Sequence, residues 1–303
     1  MSWTLRKGLV AGIGLVVLAG AAVSLYLLVP QRLPEGAIRV PQDVSTLGEA
    51  LARAQPGAIL LLDARQLEAQ GSVRIETEGI TLRSLHGRVL LRSDGNEPAL
   101  AVMADGASVE GFELVAEGVG VSVRASGVLL EDLLVRAAQI GIQLSSARSC
   151  NLQDIEVQDA QVALAFESSG GNVVRSVSIQ AATQTGASMV GSWGNRLESV
   201  VVKNTPVGFS LTEGSTDNDL VDCSASGCGV AGVEINAADG NRLIRARIMD
   251  GNTGVVVEQA TGCSLVDARI ERPAVAGVRL SQASQNHLSG TFIVSPADVG
   301  ILL

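Results

Sequence analysis

The sequence predicts an all-β chain folded as a right-handed parallel β-helix, entered through a short capping helix and preceded by one transmembrane helix. Three observations carry this. A Gly, replaced once by Ala163, followed by an alternating apolar triplet recurs nine times at intervals of 21 to 24 residues. A column of asparagines follows the same interval. Of 303 residues, 47% are hydrophobic and only 2% aromatic, with 34 Gly, so the apolar content is small and branched aliphatic and suits a narrow, repetitive core. The 17% charged content excludes a disordered chain. Net charge is -9, and every acid lies after residue 29 while Arg6 and Lys7 lie before it. Nucleic acid is a poor partner for such a surface.

The N-terminus is a different material. Residues 8–29 carry no charge and follow Arg6 and Lys7, long enough to span a hydrocarbon core of about 30 Å at about 1.5 Å per residue. Positive charge on the short flank places residues 1–7 in the cytoplasm and the remainder in the periplasm or another extracytoplasmic space, anchored in the inner membrane. A cleaved signal ending near Ala19-Gly-Ala is the alternative, but that cut leaves an apolar mature terminus. Residues 30–39, with Pro30 and Pro34, read as a stiff linker, and residues 40–303 as the β-helix.

Within the solenoid the entrance comes first. Thr46 and Glu49 form a candidate capping box, and Leu47, Ala50, Leu51 and Ala54 make one apolar helical face ending at Pro56-Gly57. This helix is expected to cover the first strand edge. Strand signals follow at Ala58–Leu62, Gly79–Leu82, Val89–Leu91, Leu100–Val102 and Val109–Leu114. Then the regular repeat begins, with Gly120-Val-Ser-Val, Gly141-Ile-Gln-Leu, Ala163-Leu-Ala-Phe, Gly186-Ala-Ser-Met, Gly208-Phe-Ser-Leu, Gly232-Val-Glu-Ile, Gly254-Val-Val-Val, Gly277-Val-Arg-Leu and Gly300-Ile-Leu-Leu. The period of 2 puts the second and fourth members inward. Nine or ten residues after each triplet start stands Asn151, Asn172, Asn195, Asn218, Asn241, then Cys263 where the pattern breaks, then Asn286. Asparagine tolerates left-handed turns and can bond up and down a stack of coils.

The stretch from Asp43-Val-Ser-Thr-Leu-Gly-Glu-Ala-Leu through Pro56-Gly-Ala-Ile-Leu-Leu, with Gly79-Ile-Thr-Leu and Ala107-Ser-Val-Glu-Gly-Phe, resembles the opening of pectin lyase-like right-handed β-helix proteins. The resemblance covers about residues 40–303 and implies the fold. It implies little about activity, because that superfamily includes lyases, hydrolases, uronate epimerases, tailspikes and non-enzymatic periplasmic proteins. Among the last, the accessory β-helix of nitrous oxide reductase maturation is similar in export and coil style.

Chemistry-bearing residues are sparse. The outward column of the triplets is Ser122, Gln143, Ala165, Ser188, Ser210, Glu234, Val256, Arg279 and Leu302. A second outward column, after the Asn turn, runs Asp132, Asp154, Ser176, Ser199, Asp222, Arg245, Asp267 and Gly290. There Asp222, Arg245 and Asp267 fall on successive rungs, which reads as a solvated salt-bridge ladder. The alternative makes Arg245, Arg247 and Arg269 a site for an anionic glycan, with Asp222 or Asp267 as base and calcium as the cation of a lyase or epimerase. Phe112, Phe166 and Phe209 fall inward, leaving Trp193 and Phe292 as candidate ligand contacts. His287 is expected exposed at a corner. Cys223 takes an inward slot, Cys223 and Cys228 share a coil, and Cys150 and Cys263 lie too many rungs apart to pair. No cofactor or metal is expected outside the lyase alternative. The last coil, Gly300–Leu303, is a candidate surface for a protein partner or self-association. Taken together the residues favour a membrane-anchored exported binding or scaffolding module, with a polysaccharide lyase or uronate epimerase as rival.

Overall fold

The computed structural model describes residues 34–63 and 68–303. The expected membrane segment 8–29 and the tip 1–7 lie outside the described residues, among which no helix is long and apolar enough to cross a membrane. Contacts group the chain into Met1–Ala37 and Ile38–Leu303, and the second of these units is a right-handed parallel β-solenoid.

Each coil contributes to two parallel sheets. The Gly-triplet strands stack into a sheet of 11, from Val73–Ile75 to Val299–Leu302, and the remaining strands into a sheet of 19. The triplets are paired rung to rung in the register the repeat predicts, Ser122 opposite Gln143, then Ala165, Ser188, Ser210, Glu234, Val256, Arg279 and Leu302. Val121, Ile142, Leu164, Ala187, Phe209, Val233, Val255 and Val278 form a buried inward column beside it. Phe112, Phe166 and Phe209 are all in the core. Ser122, Ala165 and Val256 face outward yet are buried, because each is short and flanked on neighbouring rungs by other side chains.

The glycine that opens a triplet is set by space in seven of the nine; Ala163 opens another, and a Cβ at Gly300 would meet nothing within 4 Å. A Cβ at Gly120 would lie 2.4 Å from Val135 Cγ1, at Gly232 2.3 Å from Ile248 Cγ2, and at Gly254 2.5 Å from Ile270 Cγ2. Each of these branched side chains projects inward from the other sheet, so on these rungs the two walls are nearly in contact and the position holds a residue without a side chain. Fully burying one such Val or Ile contributes roughly 1.5 to 3 kcal/mol. The missing aromatic content and the glycine content thus have one cause, a thin cross-section.

The corners are built from left-handed residues. In one column Gly111, Asp132, Asp154, Ser176, Ser199, Asp222, Arg245, Asp267 and Gly290 all have positive φ, from 51 to 81°. This is the second outward column of the sequence. It is a bend between two strands, and from Arg196 onward it splits each coil's long strand in two, as in Arg196–Glu198 and Val201–Lys203. Asp, Asn, Ser and Gly tolerate this conformation because their side chains are short or absent.

A third column forms the buried corner. The Oδ1 of each asparagine accepts from the backbone N–H of its counterpart one coil earlier: Asn172 from Cys150, Asn195 from Asn172, Asn218 from Asn195 and Asn241 from Asn218, at 2.9 to 3.0 Å. The Nδ2 groups donate to carbonyls of the preceding coil, Asn195 to Ser169 O at 3.0 Å and Asn218 to Ser192 O at 2.9 Å. Asn286 closes the column by accepting from Cys263 N at 2.8 Å. Asn151 does not belong. It stands one residue beyond the column, at the start of the strand Asn151–Gln158 opposite Val173, and Cys150 occupies the ladder position. Offset from the triplet does not mark this, since Asn218 also stands ten residues after its Gly208 and keeps its place; the cross-coil pairing does, with Asn151 opposite Val173 and Cys150 opposite Asn172. Its Oδ1 is buried without a hydrogen-bond partner. Alongside runs a serine ladder: Ser169, Ser192 and Ser215 Oγ accept from the backbone N–H of Ala147, Ser169 and Ser192.

At the entrance, helix α1 (Leu47–Arg53) has Thr46 as N-cap, its hydroxyl accepting from Glu49 N at 3.2 Å. Glu49 reaches back one residue further than a capping box requires, accepting from Ser45 N and Ser45 Oγ. Leu47, Ala50 and Ala54 are buried in the same apolar cluster as Leu60 and Leu62 of the first coils, and Leu51 packs against it half-buried.

Candidate functional site

On the outer face of the 19-stranded sheet, the coils between Arg196 and Phe292 bring most of the candidate residues together. Asp222, Arg245 and Asp267 occupy the bend on three successive coils. Two positions further along each coil a strand column carries Ser224, Arg247, Arg269 and Phe292 in direct register. The cluster Asp222, Arg245, Arg247, Asp267 and Arg269 therefore exists as a patch, on a surface of strands and bends.

Its charges are mostly engaged with one another. Arg245 holds Asp222 bidentately, Nε to Oδ1 at 2.7 Å and Nη2 to Oδ2 at 2.6 Å, and this contact keeps the Asp222 carboxyl below its usual range and raises the Arg245 guanidinium. Asp267 acts on Arg245 only at longer range. Arg269 pairs with Glu271, Arg272 with Asp250 at 2.7 Å and with Glu271 at 3.2 Å, and Arg242 with Asp219 at 2.6 Å. The hydrogen bond from Arg269 lowers the Glu271 carboxyl, and that from Arg272 lowers Asp250. Arg247 has no ion-pair partner within 4.0 Å among the described residues, although its charge reaches Glu271.

The two outward aromatic rings do not join into one site. Trp193 lies at the corner two residues before Asn195, 42% exposed, its ring over Gly170 and 5.7 Å from the Arg148 guanidinium. A Cβ at Gly170 would sit 2.4 Å from that ring, so the glycine makes the seat for the tryptophan. Phe292, 63% exposed, lies on another column and four coils further along, roughly 19 Å away along the stack at about 4.8 Å per coil. His287 is exposed on the strand His287–Ser289. His86 Nδ1 is 3.3 Å from buried Asp63 Oδ1, at the other end of the solenoid.

All four cysteines are free and buried, so the shared coil of Cys223 and Cys228 does not hold a disulfide. Cys223 Sγ donates to Leu197 O at 3.4 Å, and burial pushes its thiol up to about 12. Burial raises Cys150, Cys228 and Cys263 as well. Among the described residues no three His, Cys, Asp or Glu gather into a group that could hold a metal ion. The serine ladder and the ladder role of Cys150 and Cys263 were missed at the sequence level. The signal was available as a recurring Ser/Ala-x-x-Asn/Cys: Ala147 to Cys150, Ser169 to Asn172, Ser192 to Asn195, Ser215 to Asn218, Ala238 to Asn241, Ala260 to Cys263 and Ala283 to Asn286.

Solved structures share this coil geometry. The Dettilon tailspike protein superposes with a TM-score of 0.72 at 11% identity, over 88% of this chain and 68% of its own. The alginate lyase of Paenibacillus sp. str. FPU-7 matches with a TM-score of 0.62 at 14% identity, over 83% of this chain and 95% of its own. The A-module of the Azotobacter vinelandii mannuronan C-5 epimerase AlgE4 matches with 0.62 at 12% identity, over 89% and 95%. At such identities these likenesses establish the fold alone. No curated protein sequence matches the chain significantly. The family model described as periplasmic copper-binding protein (NosD) matches residues 123–301, more than half of the sequence and the most regular part of the solenoid, and the chain belongs to that family of periplasmic β-helices.

Proposed function

We propose that the chain is an exported β-helix, tethered to the inner membrane through residues 8–29, that works as a binding or scaffolding module of the envelope and performs no catalysis. The observation that supports this most is the pairing of charge on its outer face. A general base must be free to take a proton near neutral pH. Here Asp222, Asp250 and Glu271 each accept from an arginine that holds the carboxyl low. The docking surface for a protein partner or a second copy would be the exposed apolar residues Ile301, Leu302 and Leu303 beside the strand Val299–Leu302. At the other end α1 serves as the cover of the first coil.

One observation favours a second reading. Among the described residues Arg247 has no ion-pair partner within 4.0 Å, and it stands beside Arg269 with Phe292 exposed on the next rung, an arrangement suited to an acidic polysaccharide. In that reading the patch belongs to a lyase or uronate epimerase, with Asp222 or Asp267 as base and calcium as its cation. Incubating the detergent-solubilised full chain with a panel of uronate polymers and calcium distinguishes the two. The scaffold reading expects neither unsaturated products nor epimerised residues and a complex heavier than one chain; clear turnover would overturn it.

A further inference from the structure

We infer that the copper in the family's description does not extend to a site in this solenoid, and that its cysteines are framework groups, Cys150 and Cys263 standing in for asparagine in the buried ladder. Their backbones behave as the asparagines do: Cys150 N donates to Asn172 Oδ1 at 2.9 Å and Cys263 N to Asn286 Oδ1 at 2.8 Å. Their side chains do the same. Cys150 Sγ donates to Ala125 O and Cys263 Sγ to Ala238 O, each at 3.4 Å, the place in the preceding coil where Asn172 Nδ2 meets Ala147 O and Asn286 Nδ2 meets Ala260 O. The N–H of Asn241 lies against the Cys263 sulfur, where an Oδ1 accepts in the neighbouring coils. A thiol is a weak donor and a weak acceptor, so it fills both ladder roles at reduced strength.

Copper(I) is held by thiolates, thioethers or imidazoles that converge on one point. The ladder geometry keeps these groups apart. Cys150 and Cys263 are separated by five coils, about 24 Å at about 4.8 Å per coil. Cys223 is hydrogen-bonded to Leu197 O and Cys228 lies 3.8 Å from Thr205 Oγ1, both in the interior. His86 and His287 lie near opposite ends of the stack, Met189 is buried in the core and Met103 is exposed near the N-terminal end. Met249 is half-buried on the strand Arg247–Met249, and among the described residues no three His, Cys, Asp or Glu gather at one point, so the ligand set that a copper ion needs is not assembled.

The test uses the full chain in detergent. Copper(I) is titrated in the presence of a chromophoric chelator that competes at micromolar affinity, for the native chain and for Cys150→Asn/Cys263→Asn. Both are expected to leave the chelator's copper untouched, and the Asn double variant to melt several degrees above a Cys150→Val/Cys263→Val control, which lacks both donor and acceptor. Retention of one equivalent of copper by the native chain overturns the first part, whether or not the Asn variant keeps it. An Asn variant that melts at or below the Val control overturns the second.

Discussion

Two columns of polar side chains run along the C-terminal coils of this solenoid with the same period, and solvent makes them opposites. At the asparagine corner Asn172, Asn195, Asn218 and Asn241 are buried, and each is bonded to the coils above and below. At the bend column Asp222, Arg245 and Asp267 face water, and Arg245 meets Asp222 as a surface ion pair. In the interior an unmade hydrogen bond costs the desolvation of the group left behind, about 1 to 3 kcal/mol. On the surface water replaces a lost partner, and an exposed pair is worth roughly 0 to 1 kcal/mol. Repetition in sequence therefore marks structure in both columns, but only the buried one holds the coils in register.

The largest expected effect breaks the buried column. Asn195→Leu removes the acceptor of Asn172 N and Asn172 Nδ2 and the donor to Ser169 O and Asn218 Oδ1. A loss of about 3 to 5 kcal/mol is expected, from several buried groups left unpaired at about 1 to 3 kcal/mol each, read as a lower denaturant midpoint. A loss below about 1 kcal/mol would show that the corner admits water.

Adjacent residues sharpen the contrast in a pH titration. Asp222 is held low by its exposed arginine, so its contribution is present above the unfolded value and fades as pH falls through the depressed folded one. Cys223, next in sequence and buried, is raised from 9.0 to about 12. Below about pH 9 its thiol is protonated in both states; above that the unfolded chain releases the proton first, and stability falls by up to about 1.4 kcal/mol per pH unit until the folded value is reached. Cys223→Val is expected to flatten the decline of melting temperature between pH 9 and 11, and an unchanged slope would assign that decline to other groups.

The smallest expected effect is on the surface. Arg245→Ala removes the bidentate contact to Asp222 and is expected to shift the denaturant midpoint only slightly, a difference that salt erases. Ala also stands poorly in the left-handed bend, so Arg245→Gly is the companion, expected at or above native stability. A loss of several kcal/mol in both variants would mean that the face is a built site.

The fold was legible because a β-solenoid needs only nearest-coil contacts, so its whole geometry is written in one interval. Gly232 and Ile248 lie in the same coil, and their opposition follows once the register is known. The candidate patch was legible as columns and illegible as chemistry. The recurrence at Asp222, Arg245 and Asp267 marked a common slot, but a bend and an outward strand face have the same period. Asn151 misled because asparagine suits several kinds of turn, and Cys150 passed unnoticed because a thiol resembles an amide only once its donors and acceptors are in place.

By itself, then, the sequence determined the coil, the inward aliphatic columns and the inward seats of Phe112, Phe166 and Phe209, since alternation and interval are properties of the chain read in one dimension. Only the tertiary structure decided which of the repeated polar residues are partners. It joined Arg245 to Asp222, placed Trp193 on Gly170, and moved Cys150 into the asparagine ladder, because hydrogen bonds and ion pairs depend on distances of a few tenths of an ångström across coils, which residue spacing does not encode.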